Sequence, residues 1–324
     1  MTTIERSWIQ KHLGMANDEK QWLARYAASH LVGYGDVIFV DSGTSLTALM
    51  IEIIKRQAEG EKLDLQVVTS NLQVIAMGRS MPPAAGSNED DSGSVPSAAS
   101  SKDDESGYLG PGFLEAFKAT QIVLTGGHVN PSLDSLTGEH AVSGIKEPLF
   151  HPTTVFFGAR GLSFRPELVI TYQFLDEISA QTAYATRPTK RRVIVCDHTK
   201  LGITEGREAP LKIGSLLDHA GECIFLTSEP KQRSDSFKAE VRAFNELCQR
   251  LVSQKQYQDK ELALWMITAA GEKRILGSLA TYRQNKNGKR MRRSEAVLMP
   301  DSEEFPTRSS RDAEAPTEKP HLVS

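Results

Sequence analysis

Apolar positions along this chain gather into short unbroken runs, and the stretches between the runs repeat their apolar residues at three- and four-residue spacing. The runs are Val37-Ile38-Phe39-Val40, Leu65-Gln66-Val67-Val68, Gln121-Ile122-Val123-Leu124, Val155-Phe156-Phe157, Val193-Ile194-Val195-Cys196 and Cys223-Ile224-Phe225-Leu226. Each is too short for a helix and apolar on both sides of a pleat, which predicts strands covered on both faces. Between them, Asn17 and Asp18 open a helix with Trp22, Leu23, Tyr26, Ala27 and Leu31 on one face, stopped by Gly33 and Gly35. Further helices are predicted over 46–54 (reaching toward Gln57), 72–77, 113–118 and 173–184. Strands alternating with helices predict an α/β fold, a mostly parallel, doubly wound sheet with helices on both faces.

Beyond Glu229 the pattern changes. Val241, Phe244, Leu247 and Leu251 recur at helical spacing over 237–251. Runs at 262–268, 275–282 and 296–299, with a turn signal at Asn285–Gly288, predict a small antiparallel extension bearing Lys286, Lys289, Arg290, Arg292 and Arg293. That basic cluster is read as a solvated hairpin, though such clusters also meet phosphate backbones. The predicted organisation is therefore an α/β domain over 1–232, a C-terminal helix and strand extension over 233–300, and a disordered tail over 301–324. Inside the first domain, residues 82–112 are Ser, Gly, Pro, Ala and acid with almost nothing apolar, which predicts a disordered acidic insertion.

The end of each predicted strand is where chemistry would gather, because loops at the carboxyl ends of parallel strands line the ligand crevice. Asp41-Ser42-Gly43-Thr44-Ser45 ends the first run, Thr69-Ser70-Asn71 the second, Thr125-Gly126-Gly127-His128 the third, Gly158-Ala159-Arg160-Gly161 the fourth and Asp197-His198-Thr199-Lys200 the fifth. Gly43 allows backbone to approach a ligand, and the hydroxyls of Ser42, Thr44 and Ser45 precede a helix whose first amides favour an anion such as phosphate. Ser and Thr at such a place also serve as plain helix caps. Lys200, just past a buried strand, can deliver a compact positive charge, and Asp197 can orient it or accept hydrogen bonds.

Composition narrows the class. With 324 residues the chain can bury a sizeable core, and 39% hydrophobic with 24% charged residues is ordinary for a water-soluble globular protein. A net charge of −3 argues against bulk attraction to nucleic acid or membrane, and no apolar run approaches a membrane span. The first ten residues lack a secretory pattern, and Cys196, Cys223 and Cys248 sit in apolar contexts as buried thiols, so a cytoplasmic location is expected. His128 and His198 have no second ligand at metal spacing, so neither a metal nor a cofactor is expected. No nucleotide-binding glycine loop is present in the sequence.

Taken in order, Asp36-Val37-Ile38-Phe39-Val40-Asp41-Ser42-Gly43-Thr44-Ser45, Val67-Val68-Thr69-Ser70-Asn71, Thr125-Gly126-Gly127, Phe156-Phe157-Gly158 and Asp197-His198-Thr199-Lys200-Leu201-Gly202 resemble the sugar-phosphate-sensing domain of DeoR-type bacterial transcriptional regulators. That domain is similar in fold to ribose-phosphate isomerase, glucosamine-phosphate deaminase and the CoA transferases, and the resemblance covers roughly residues 17 to 230. It implies a phosphorylated sugar or polyol as ligand. Ser42, Gly43, Thr44 and Ser45 would hold the phosphate with Lys200 as charged partner, and Thr69, Ser70, Asn71, Gly126, Gly127 and Gly158 would frame the rest. It also implies a homo-oligomer.

Three features depart from the family pattern. The residues before Asn17 are too few for a helix-turn-helix, so direct DNA binding is not expected and a regulatory partner would carry that module. Gln181 stands where family members show a basic residue, and the acidic insertion lengthens a surface loop. Two other functions compete with a binding domain that turns nothing over. One is a sugar-phosphate isomerase, for which Glu177 or Asp197 would be the acid. The other is a ligand-free scaffold working through protein contacts. No catalytic residue is assigned.

Overall fold

The computed structural model of the protein describes residues 18–79 and 111–286. The first elements are α1 (Asp18–Leu31), β1 (Val37–Val40), α2 (Thr44–Ala58), β2 (Gln66–Thr69), α3 (Leu72–Arg79), α4 (Pro111–Ala119) and β3 (Gln121–Leu124). A hairpin of β4 (His128–Asn130) and β5 (Ser135–Thr137) follows, then α5 (Glu139–Ile145) and β6 (Thr154–Gly158). A second hairpin, β7 (Gly161–Ser163) and β8 (Val169–Tyr172), leads into α6 (Leu175–Thr186), β9 (Thr189–Val195), the short β10 (Arg207–Glu208), α7 (Ile213–Asp218) and β11 (Ala220–Ser228). The described chain ends with α8 (Asp235–Val252), β12 (Glu261–Ile267), β13 (Lys273–Ser278) and α9 (Leu279–Lys286).

Eight strands form one sheet in the order β13-β12-β11-β9-β6-β1-β2-β3, parallel throughout except where β13 runs against β12. The fold is α/β and mostly parallel, as the pattern predicts. Successive strand residues feed opposite cores. Ile38, Val40, Val67, Phe156, Val193 and Ile224 pack with α1, α2 and α4 on one face. Phe39, Val68, Val155, Phe157, Ile194 and Phe225 pack with α6, α7 and α8 on the other. This two-sided burial is why the runs are continuous rather than alternating.

The connections run outward in opposite directions from the middle of the sheet. From β1 the chain winds through α2 to β2 and on to β3, and its later half winds from β6 to β9, β11 and β12. β1 and β6 are neighbours, with Ile38 opposite Thr154 and Val40 opposite Phe156, and the direction of winding reverses between them.

The C-terminal helix and antiparallel strand pair are present, and they prolong the main sheet: Cys223 faces Leu262 and Phe225 faces Leu264 in a parallel register. Some boundaries differ from expectation. The strand predicted over 275–282 ends at Ser278, whose Oγ accepts the Thr281 amide at 3.2 Å and caps a helix that buries Leu279. That helix includes Asn285 and Lys286, so they form a helix end and not the hairpin turn expected there. Pro111 and Gly112 open α4 instead of closing the acidic insertion. The rest of that insertion, the run at 296–299, the remaining basic residues and the tail lie outside the described residues.

Candidate functional site

At the carboxyl edge of the sheet the direction of winding reverses between β1 and β6, the place where an open α/β sheet usually takes its ligand. Asp41 sits there. Its amide continues the strand pairing onto Phe156 O at 3.0 Å, and its side chain, 1% exposed, turns under the loop after β6. The carboxylate accepts the Gly158 amide at 3.4 Å, the Ser42 hydroxyl at 3.4 Å and a short bond from Gln181 Nε2 of α6. Among the described residues no Lys, Arg or His forms an ion pair with it. Burial therefore pushes Asp41 up to about 7, against the pull of the Gln181, Ser42 and Gly158 donors, with the Glu177 carboxylate adding a smaller push.

Several polar atoms buried at this end of the sheet have no hydrogen-bond partner among the described residues: Ser45 Oγ, Gln181 Oε1 and the Tyr172 hydroxyl. Tyr172 ends β8, and burial with the nearby Asp41 and Glu177 charges holds its hydroxyl well above the ordinary range. Unpartnered buried polar atoms are rare in folded proteins, and a group of them beside this reversal calls for an explanation. The backbone adds its own feature. Gly43 precedes α2 with φ +115, a conformation that favours glycine, and contributes no side-chain cap. The Thr44 and Ser45 amides consequently open the helix without intrahelical acceptors.

The other predicted residues divide into two groups. Thr69, Ser70 and Asn71 are buried and bonded within the protein. Thr69 Oγ1 accepts the Asn71 amide at 3.0 Å, and Asn71 Nδ2 donates to Thr47 Oγ1 at 2.9 Å. The Ser70 amide donates to the Tyr184 hydroxyl at 3.1 Å, and that hydroxyl reaches Ser70 Oγ at 3.3 Å. Leu136 N donates to Ser70 O at 2.8 Å and Leu72 N to Asp134 O at 2.9 Å, so the β4–β5 hairpin is fastened to this loop. Gly126 and Gly127 carry φ of +77 and +117. A Cβ on Gly127 would come within 2.5 Å of Thr137 O, so only glycine lets the loop pass the hairpin.

Along the same sheet edge, Asp197 precedes a single helical turn, His198–Lys200, after β9, and Lys200 ends it. Lys200 Nζ lies 3.8 Å from Asp197 Oδ2, whose carboxylate also takes a short bond from Thr199 Oγ1. β9 is two strands from β1, so Lys200 and the Ser42–Ser45 loop sit about 10 Å apart at strand level. His198 Nδ1 is 2.7 Å from Glu19 Oε2, and Ser228 Oγ donates to the same oxygen at 2.7 Å, which pins the start of α1 beside this loop.

Glu177, one of the two acids considered for isomerisation, accepts the Gln173 and Phe174 amides at 3.0 and 2.8 Å and so caps α6. Among the described residues no three His, Cys, Asp or Glu side chains gather as a metal site, and no helix is long and apolar enough to cross a membrane. All three cysteines are buried, and burial pushes Cys196 and Cys223 up to about 12. A cavity of about 230 Å³ lined by His30, Asp36, Thr153, Lys190 and Arg191 opens at the opposite, amino-terminal edge of these strands, away from Asp41.

No family model matches the chain, and no curated protein matches it. Solved structures do. Ribose 5-phosphate isomerase A from Methanocaldococcus jannaschii aligns at 13% identity and a TM-score of 0.32, over 56% of this chain and 53% of that one. Ribose 5-phosphate isomerase from Plasmodium falciparum aligns at 11% and 0.30, over 56% and 52%. The eIF2B beta subunit from Chaetomium thermophilum aligns at 12% and 0.29, over 62% and 44%. The likeness is one of chain arrangement. The chain spans about half the length of these proteins, and nothing about their ligands passes to it from scores of this size.

Sequence reasoning named Asp41 as a candidate but not Tyr172, whose strand it did not predict, nor the partnership of Gln181 with Asp41. Gln181 carried a signal, a polar residue in the buried stripe of α6 beside Ala180 and Tyr184. Tyr172 carried none, because β8 joins a separate three-stranded sheet, β10-β8-β7.

Proposed function

We propose that the loops at the carboxyl ends of β1 and β6 bind a small phosphorylated sugar or polyol and that the protein acts as a sensor without turning its ligand over. The observation that carries this reading is the loop 41–45. A positive-φ glycine delivers open helix amides to a topological reversal where Ser45 Oγ and the Tyr172 hydroxyl are buried without a hydrogen-bond partner among the described residues. Phosphate sits against Gly43, Thr44 and Ser45, and Lys200 meets the distal part of a ligand long enough to cross two strand spacings. Thr69, Ser70 and Asn71 act as scaffold for the loop, and Gly126, Gly127 and Gly158 as its walls. The DeoR resemblance supports a regulatory, cytoplasmic, homo-oligomeric sensor.

Thermal unfolding across a panel of phosphorylated sugars and polyols, in phosphate-free buffer, tests this. A ligand at about 100 times its dissociation constant adds roughly 2.7 kcal/mol and raises the midpoint by several degrees. One compound should stabilise the wild type, and Lys200→Ala should lose most of that shift. A panel without any stabilising compound would overturn the reading. Asp41, at about 7, also suits proton transfer, so the runner-up is aldose–ketose isomerisation. Conversion of the stabilising compound in the same samples, followed by NMR, decides between sensor and enzyme.

A further inference from the structure

We infer that Asp41 is a charge-selecting residue: the site takes a doubly negative oxyanion only with a proton on the Asp41 carboxyl, so anion binding carries proton uptake. This rests on the anion-site reading above and adds the regulation of that site. The geometry behind it is a competition. Asp41 stands three residues before the first residue of α2, and the positive feature that the loop itself offers is the open end of that helix. A carboxylate at Asp41 and an anion at Gly43–Ser45 draw on the same helix end. Among the described residues no cation separates them, and the carboxylate is held by neutral donors, from Gln181, Ser42 and Gly158.

Among the described residues, the groups that face Asp41 itself bring no positive charge to it. From α6, Glu177 and Tyr184 face the group, and from β8 Tyr172 does, all anionic or neutral. The first turn of α2, Thr44-Ser45-Leu46-Thr47, carries no charge. Arg160 on the neighbouring loop interacts with Glu177, and Lys200 is engaged with Asp197. A second negative charge brought to the loop is therefore accommodated by protonating the first. Burial has already brought Asp41 to about 7, so the proton is available near neutral pH. Protonation also converts one carboxyl oxygen into a donor, which satisfies the unpartnered Gln181 Oε1 after a rotation of the amide.

Sulfate is the probe, because it stays a dianion throughout the range while phosphate titrates near neutrality. Its dissociation constant, measured by NMR titration at pH 6 and pH 8, should rise by about tenfold in the wild type, one pKa unit of linkage. In Asp41→Asn the two values should agree within about twofold. Gln181→Lys supplies a second variant should the first not fold: an ammonium beside Asp41 keeps it ionised and should likewise flatten the profile. The midpoint of the Asp41 carboxyl carbon resonance should move upward as sulfate is added. Equal pH dependence in all three proteins, or a flat wild-type profile with clear binding, overturns the inference and leaves the anion site standing. If sulfate binds none of them at either pH and the sugar-phosphate panel is also silent, the anion site falls too.

Discussion

Asp41 carries the largest residue-scale consequence. Its folded value near 7 lies above the 3.8 of an unperturbed aspartate, so the folded protein keeps a proton that the unfolded chain has released. Stability contributed by the neutral buried carboxyl is complete below about pH 4 and is lost as pH rises through 7. The loss is on the order of 4 kcal/mol across that window. Urea unfolding from pH 5 to pH 8 should accordingly show the wild type weakening while Asp41→Asn holds nearly level over the same range. A wild type that gained stability over this range would contradict the burial described. Asp41 was legible in the sequence as a strand-ending acid; its missing counterion was not, because that depends on what α6 and β8 bring beside it.

Between elements, buried polar nodes fasten helices to the sheet edge. Glu240 of α8 is fully buried and accepts Ser163 Oγ at 3.1 Å, the Phe164 amide at 2.7 Å and Arg165 Nε at 2.6 Å. It ties the β7–β8 hairpin, and with it Tyr172, to the C-terminal helix. Arg192, also fully buried, donates to Arg187 O at 2.6 Å and to Leu216 O and so closes the carboxyl ends of α6 and α7, where a cation is favoured. Glu240→Ala strands two buried donors and the half-exposed Arg165. It should cost about 3 kcal/mol in urea unfolding and speed hydrogen exchange at the Phe164 amide. If exchange there is unchanged, the hairpin is held by its apolar contacts alone. The hairpins themselves were illegible from the chain: three- and four-residue strands such as Gly161–Ser163 lack enough residues for a period to show.

At the scale of the molecule, the C-terminal segment belongs to the same core as the strands before it. Leu262, Leu264, Met266, Leu276 and Leu279 pack in one cluster with Phe225 and Phe244, and Phe164, Phe225 and Phe244 meet edge-to-face at centroid distances of 4.9–5.9 Å. A chain ending at Val252 would bare β11 and this cluster. It should lose near-UV circular dichroism and bind a hydrophobic dye, whereas the full chain unfolds in a single transition; a truncated chain with native spectra would mean the extension is dispensable. Sequence alone determined the central strands, most of the helices between them and the loops that meet at one edge. Continuous apolar runs and helical periodicity are local, and a parallel sheet converts strand ends into a common edge whatever the side chains are. Only the tertiary structure decided which strands are neighbours. The reversal falls between β1 and β6, strands more than a hundred residues apart, and it brings Gln181 and Tyr172 to Asp41. Those positions follow from helices packing on opposite faces of the sheet, a long-range choice that no short stretch of sequence records.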